Sequence, residues 1–148
     1  MLAESSPSRR LIVNLAARKI VLVQDGKVVK MYPVAIGKHN TPSPAGSFHI
    51  ASHVANPTYS HDGKVVKPGP SNPVGTRWMG LGYKGYGIHG TNQPESIGHA
   101  ASHGCIRMRN RDVEELFELV RVGDEVDLIT DEPAQTVAVA GAAVAGGF

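Results

Sequence analysis

Disulfides are excluded at once: the 148 residues contain one cysteine, Cys105, which also rules out a zinc site built from several thiolates. No apolar run reaches the ~18 residues of a membrane-spanning helix. Lysine and arginine form no long basic run, and a formal charge of +2 is too small to suggest a nucleic-acid groove. The start, MLAESSPSRR, has no apolar h-region and does not read as a signal peptide. Turn chemistry, by contrast, is plentiful. Gly 17 and Pro 10, without any period, favour short strands and tight loops within one domain large enough for a sizeable core.

Residues 9–15 (RRLIVNL), 19–25 (KIVLVQD) and 27–37 (KVVKMYPVAIG) are rich in Val, Ile and Leu, and Asp25-Gly26 between the last two predicts a hairpin. A turn-rich stretch at 38–46 leads into a predicted strand over 47–54. Residues 55–76 hold four prolines and three glycines and read as a long surface loop. Short strands are predicted at 77–83 and 86–90. Only one segment has a helical period: Val113, Leu116, Phe117 and Val120 form one apolar stripe, with Asn110 as its cap and Gly123 as its stop. A last strand over 124–130 puts Val126 and Leu128 on one face and Ile129 on the other. Residues 1–8 and the Ala/Gly/Val tail at 132–148 are expected to be flexible, leaving 9–131 as the domain. The body is therefore mainly β with one principal helix, and the alternating helices of a doubly wound α/β fold are missing.

Cys105 lies in IHGTNQPESIGHAASHGCIRMRN (88–110), which also holds His89, His99 and His103. Zinc accepts such side chains, but only Gly104 separates His103 from Cys105, and C-x2-C or H-E-x-x-H spacings are absent, so no metal is expected. A free cysteine is commonly a small buried hydrophobe. The polar, glycine-containing surroundings fit a nucleophile as well, because backbone N–H groups can converge there and Arg107 and Arg109 favour thiolate. Residue types leave both readings open. A nucleophilic thiol also needs a base or a cation, and spacing does not choose between His89 and His103.

The run from His89 to "SHGCIR" (102–107) resembles the active-site signature of the L,D-transpeptidase catalytic domain, also called the YkuD domain. Further matching stretches are PVAIGKHNTPSPAGSFHI (33–50), NPTY (56–59), PGPSNPVGTRWMGL (68–81) and NRDVEELFELV (110–120), so the resemblance covers residues 9 to 130. It implies a β-sandwich-like fold with the principal helix after the Cys loop.

The resemblance also implies roles. Cys105 is the nucleophile, His89 the general base, and the Gly90 carbonyl orients the imidazole. The N–H groups of Gly104 and Cys105 are expected to hold the oxyanion, a role worth roughly 3–4 kcal/mol per donor. Arg107 is the expected carboxylate clamp, while Ser102 and His103 shape the loop. Trp78, Tyr83 and Tyr86 are candidates for the substrate groove, and Tyr59 for a lid. Arg109 and the histidines at 39, 49, 53, 61 and 99 are expected to be ordinary strand or surface residues. The implied reaction is acyl transfer from a peptidoglycan tetrapeptide stem, with D-Ala release and a thioester, to an amine acceptor, giving 3→3 cross-links in the cell envelope. No cofactor is expected; carbapenem-type β-lactams are expected inhibitors. The alternatives are an L,D-carboxypeptidase, a lipoprotein-tethering enzyme using the same acyl-enzyme, and a non-catalytic peptidoglycan-binding module.

Overall fold

The structure is a computed structural model that describes residues 8–130. The expected tail at 132–148, and the expected flexible start apart from Ser8, lie outside the described residues. Two sheets face each other across one core. The first has five strands in the order β3-β2-β1-β13-β5: β1 is Arg9–Asn14, β2 Lys19–Gln24, β3 Lys27–Pro33, β5 Gly46–His49 and β13 Glu125–Ile129. The second runs β12-β10-β9-β6, with β6 Ser52–Ala55, β9 Arg77–Gly80, β10 Gly87–His89 and β12 Ile106–Arg107. Two short pairs complete the fold: β4 (Ile36–Gly37) with β11 (Ala100–Ser102), and β7 (Tyr59–His61) with β8 (Lys64–Val66).

Alternation decides which side chains enter the core. Leu11 and Val13 of β1, Ile20 and Leu22 of β2, and Val126 and Leu128 of β13 turn inward to meet Met79, Ile88 and Ile106 of the second sheet. Ile12, Val21 and Val23 point the other way and form a smaller cluster with Val28 and Ile129. Each fully buried aliphatic side chain contributes about 1.5–3 kcal/mol of transfer free energy. Asp25 and Gly26 both take positive φ (53° and 79°), the primed-turn geometry that their sequence predicts between β2 and β3.

Two predicted strands each turn out to be two. The run 27–37 breaks after Pro33, because the chain leaves the first sheet there: Val34 N donates to Arg18 O, and Ala35 exchanges hydrogen bonds with Arg107 of the second. The run 47–54 likewise changes sheets at Ile50–Ala51, where Ile50 N bonds Asp124 O and Ala51 N bonds Gly80 O. The predicted loop 55–76 contains the β7–β8 hairpin. The predicted strands at 77–83 and 86–90 are shorter, ending at Gly80 and spanning 87–89.

Helix α1 spans Asn110–Leu119, shorter than its predicted extent. Val113 and Leu116 are buried against the core, as the stripe requires, and Phe117 packs beside them. The ends differ from expectation. Arg109 is the N-cap residue, with no side-chain cap bond, and Val120 is already extended at φ −122°, ψ 168°. Gly123 belongs instead to the following turn, where its N–H donates to Ile50 O.

Candidate active site

The second sheet builds the site by register. Val54 of β6 pairs with Trp78 of β9, Trp78 with His89 of β10, and His89 with Arg107 of β12. These four residues form one row across the sheet, and all four line a cleft of about 790 Å³. Because β10 and β12 are parallel with Ile88 opposite Ile106, period-two alternation sets Cys105, one residue before β12, on the same face as His89. Cys105 lines the cleft too.

His89 is buried, stacked on Trp78 with ring centroids 5.6 Å apart. Its Nδ1 lies 2.5 Å from Gly90 O. A carbonyl only accepts, so Nδ1 carries the proton and Nε2 is left as the basic nitrogen. Burial lowers the His89 pKa to about 4; the Gly90 carbonyl opposes that shift and Arg107 adds to it. The imidazole is therefore neutral at pH 7.

This has a consequence for stability. As pH falls through 6.5 the unfolded chain protonates at His89 while the folded chain does not, until about pH 4. Stability present above pH 6.5 is lost across that window, by about 3 kcal/mol for this group. Urea titrations of His89→Gln should show a correspondingly shallower acid loss than the parent protein; equal slopes would refute the burial of a neutral imidazole.

The thiol is half-buried and donates to Gly85 O at 3.7 Å. Burial pushes its pKa up, more strongly than the Gly87 N–H and Arg107 pull it down. The positive charge expected near Cys105 is present, but desolvation outweighs it. Thiol and imidazole thus rest as a neutral pair, and no hydrogen bond joins them among the described residues.

The loop before Cys105 is held from within. Ser102 Oγ donates to Cys105 O at 2.6 Å and accepts from Gly104 N at 3.0 Å. This corrects the oxyanion expectation: the Gly104 N–H is spent on Ser102, whereas the Cys105 N–H has no protein acceptor among the described residues. Gly104 has φ +125°, and a Cβ there would overlap the Tyr86 ring. Gly104→Ala should therefore displace Tyr86 from the cleft wall and destabilise the fold by about 1–3 kcal/mol, measured by thermal unfolding. An unchanged melting temperature with intact labelling of Cys105 would contradict this.

The opposite wall is the β7–β8 hairpin, which brings Tyr59, Ser60 and His61 to the cleft. Its base is tied by Asn72, fully buried, whose Nδ2 donates to Pro57 O at 2.9 Å and to Val66 O and Lys67 O at 3.3 Å. Asn72 falls in the matching stretch 68–81, but its role could not be read from sequence; His61 is an exposed strand residue, as expected, that also reaches the cleft.

Of the predicted site residues, the cleft gathers Cys105, His89, Arg107, Ser102, His103, Tyr86 and Trp78. Gly90 stands behind His89. Tyr83 is outside the cleft lining: it is exposed and stacks on the far side of Tyr86, 5.7 Å between centroids, with Phe48 at the same separation. Arg107 Nη1 donates to Gln93 Oε1 at 3.1 Å. Arg109 faces solvent and pairs with Asp112 at 3.8 Å. His53 stacks on Phe117 at 3.6 Å and bonds its carbonyl, a packing role. His39, His49 and His99 are exposed.

A family model of the L,D-transpeptidase catalytic domain, YkuD, matches residues 8–128. The Bacillus subtilis protein YqjB, which carries an L,D-transpeptidase name, is 43% identical over 128 residues, covering 82% of this chain and 71% of its own. The chain spans 64% of two further Bacillus relatives. Among solved structures, the catalytic domain of the E. faecium L,D-transpeptidase is 29% identical with TM-score 0.67, covering 84% of this chain and 99% of that one. The Ldtfm–avibactam carbamoyl enzyme is 30% identical with TM-score 0.71, covering 84% and 50%.

Proposed function

The chain belongs to the L,D-transpeptidase catalytic-domain family, and from that premise we propose that it transfers the acyl group of a peptidoglycan tetrapeptide stem, through a thioester on Cys105, to an amine acceptor. The observation that carries this reading is the register of the second sheet. It puts the Cys105 thiol and the unprotonated ring nitrogen of His89 on one face of one cleft.

In the first half-reaction the sulfur leaves its Gly85 partner and bonds the carbonyl carbon at the L-centre of the stem's diamino acid. The thiol proton passes to His89 Nε2. The C–N bond to D-Ala then breaks, and His89 returns the proton to the departing amine. In the second, a side-chain amine of a neighbouring stem bonds the same carbon and gives a proton to His89. The C–S bond breaks and the thiol is restored with that proton. The product is a 3→3 cross-link.

The Cys105 N–H serves the oxyanion, and Arg107, steadied by Gln93, meets a stem carboxylate. Trp78 and Tyr86 wall the groove, while His103 and Ser102 shape the cysteine loop. A peptidoglycan substrate sets the work in the cell envelope. The strained carbonyl of a carbapenem offers the same electrophile, and the carbamoyl adduct of the related enzyme supports acylation at Cys105.

The test is chromatography with mass spectrometry of tetrapeptide muropeptides incubated with the protein. Cross-linked dimer together with D-Ala is the expected result. Tripeptide without dimer would make water the acceptor and the enzyme a carboxypeptidase, and unchanged muropeptides would overturn the proposal.

A further inference from the structure

We propose that Asn110 is a positioning residue for His89, pinning the peptide plane whose carbonyl orients the imidazole. The inference rests on the reading of His89 as proton acceptor. The Gly90–Thr91 peptide group carries both contacts. Its carbonyl accepts from His89 Nδ1 at 2.5 Å, and its N–H, that of Thr91, donates to Asn110 Oδ1 at 3.1 Å. A trans peptide is planar with its N–H and C=O pointing in opposite directions, so fixing the one aims the other.

Three further observations point the same way. Asn110 Oδ1 also accepts from Thr76 N at 3.3 Å, so one oxygen gathers two chain segments behind the site. A Cβ at Gly90 or at Gly75 would overlap that oxygen, which explains why both positions are glycine. Glycine leaves the Gly90–Thr91 plane freer to turn than any other residue would, so the plane needs an external pin. The side chain is also not spent on capping its own helix, since Arg109 occupies that position without a side-chain cap bond.

The contact acts electronically as well. An amide that donates its N–H carries a more negative carbonyl oxygen, so Asn110 strengthens the hold of Gly90 on the Nδ1 proton. Helix α1 thereby reaches the reacting centre through one side chain and one peptide bond. Asn110 itself does not line the cleft.

The experiment compares the parent protein with Asn110→Ala and Asn110→Asp by two readouts: the imidazole ring resonances of His89 at pH 7, and kcat and KM for D-Ala release. Asn110→Ala should mix the two ring tautomers and lower kcat roughly tenfold to a hundredfold with KM little changed. Asn110→Asp, which keeps the acceptor, should restore the tautomer and most of kcat. Equal losses in both variants, or a parent-like tautomer and kcat in Asn110→Ala, would overturn the proposal. Should Asn110→Ala not fold, Asn110→Asp still decides: a carboxylate acceptor makes the Gly90 carbonyl more negative, so the Nδ1–H resonance must move downfield. An unmoved resonance refutes the relay. The spectrum needs no substrate, so a parent protein that releases no D-Ala would count against the transpeptidase reading and leave this one standing.

Discussion

Cys105→Ala is expected to lower D-Ala release below about a thousandth of the parent rate, and to abolish β-lactam adducts, with the fold intact. The reasoning is chemical. Both half-reactions of the proposed mechanism pass through a covalent bond to Sγ, and no other thiol exists in the chain. Ser102, the nearest hydroxyl in sequence, is buried and committed to Cys105 O and Gly104 N, so it cannot substitute as nucleophile. Removing a half-buried sulfur should cost less than about 1 kcal/mol of stability. Residual D-Ala release near the parent rate in a folded Cys105→Ala protein would eliminate the mechanism.

The second large effect belongs to His89. His89→Gln is expected to reduce kcat/KM for D-Ala release by about 10²–10⁴, the usual contribution of a positioned acid–base group. The neutral resting pair sharpens this expectation. Burial holds the thiol up and the imidazole down, so the proton must move during attack rather than before it. Alkylation of Cys105 by iodoacetamide in the parent protein should therefore be slow at neutral pH and climb through the alkaline range. In strongly alkaline solution hydroxide generates the thiolate directly, and the two proteins should converge. A parent protein alkylated at a constant fast rate from pH 6 upward would mean a preformed ion pair instead.

Some of this could be read directly from the residues. Asp25-Gly26 made its hairpin next to β2, whose apolar run Ile20–Val23 is buried, and Val113 and Leu116 marked the buried face of α1. The pairing of Cys105 with His89 came from the motif, and the parallel register of β10 and β12 supplies its geometry. Asp62-Gly63 carries the same turn signal as Asp25-Gly26 and was passed over. Its flanks, Tyr59–His61 and Lys64–Val66, are largely exposed and have no buried face to alternate against.

Other features were beyond sequence. The run 27–37 is rich in Val, Ile and Met on both sides of Pro33, so nothing in its pattern shows that Ala35 pairs with Arg107 of the other sheet. Gly104 looked like a free oxyanion donor because glycine beside cysteine permits that, yet hydrogen-bond competition from Ser102 decides it. Tyr83 and Tyr86 are indistinguishable in a list of aromatics; only the turn between them turns one into the cleft and leaves the other stacked behind it. Asn110 matched the pattern of a helix cap and serves the loops instead.

The most direct measurement of the central claim is the intact mass of the protein during turnover of a tetrapeptide stem without acceptor, followed by peptide mapping. Acyl transfer through the thiol predicts a transient gain equal to the stem less D-Ala, located on Cys105 and discharged when an amine acceptor is added. Turnover with no adduct at any time, or an adduct on another residue, would contradict it.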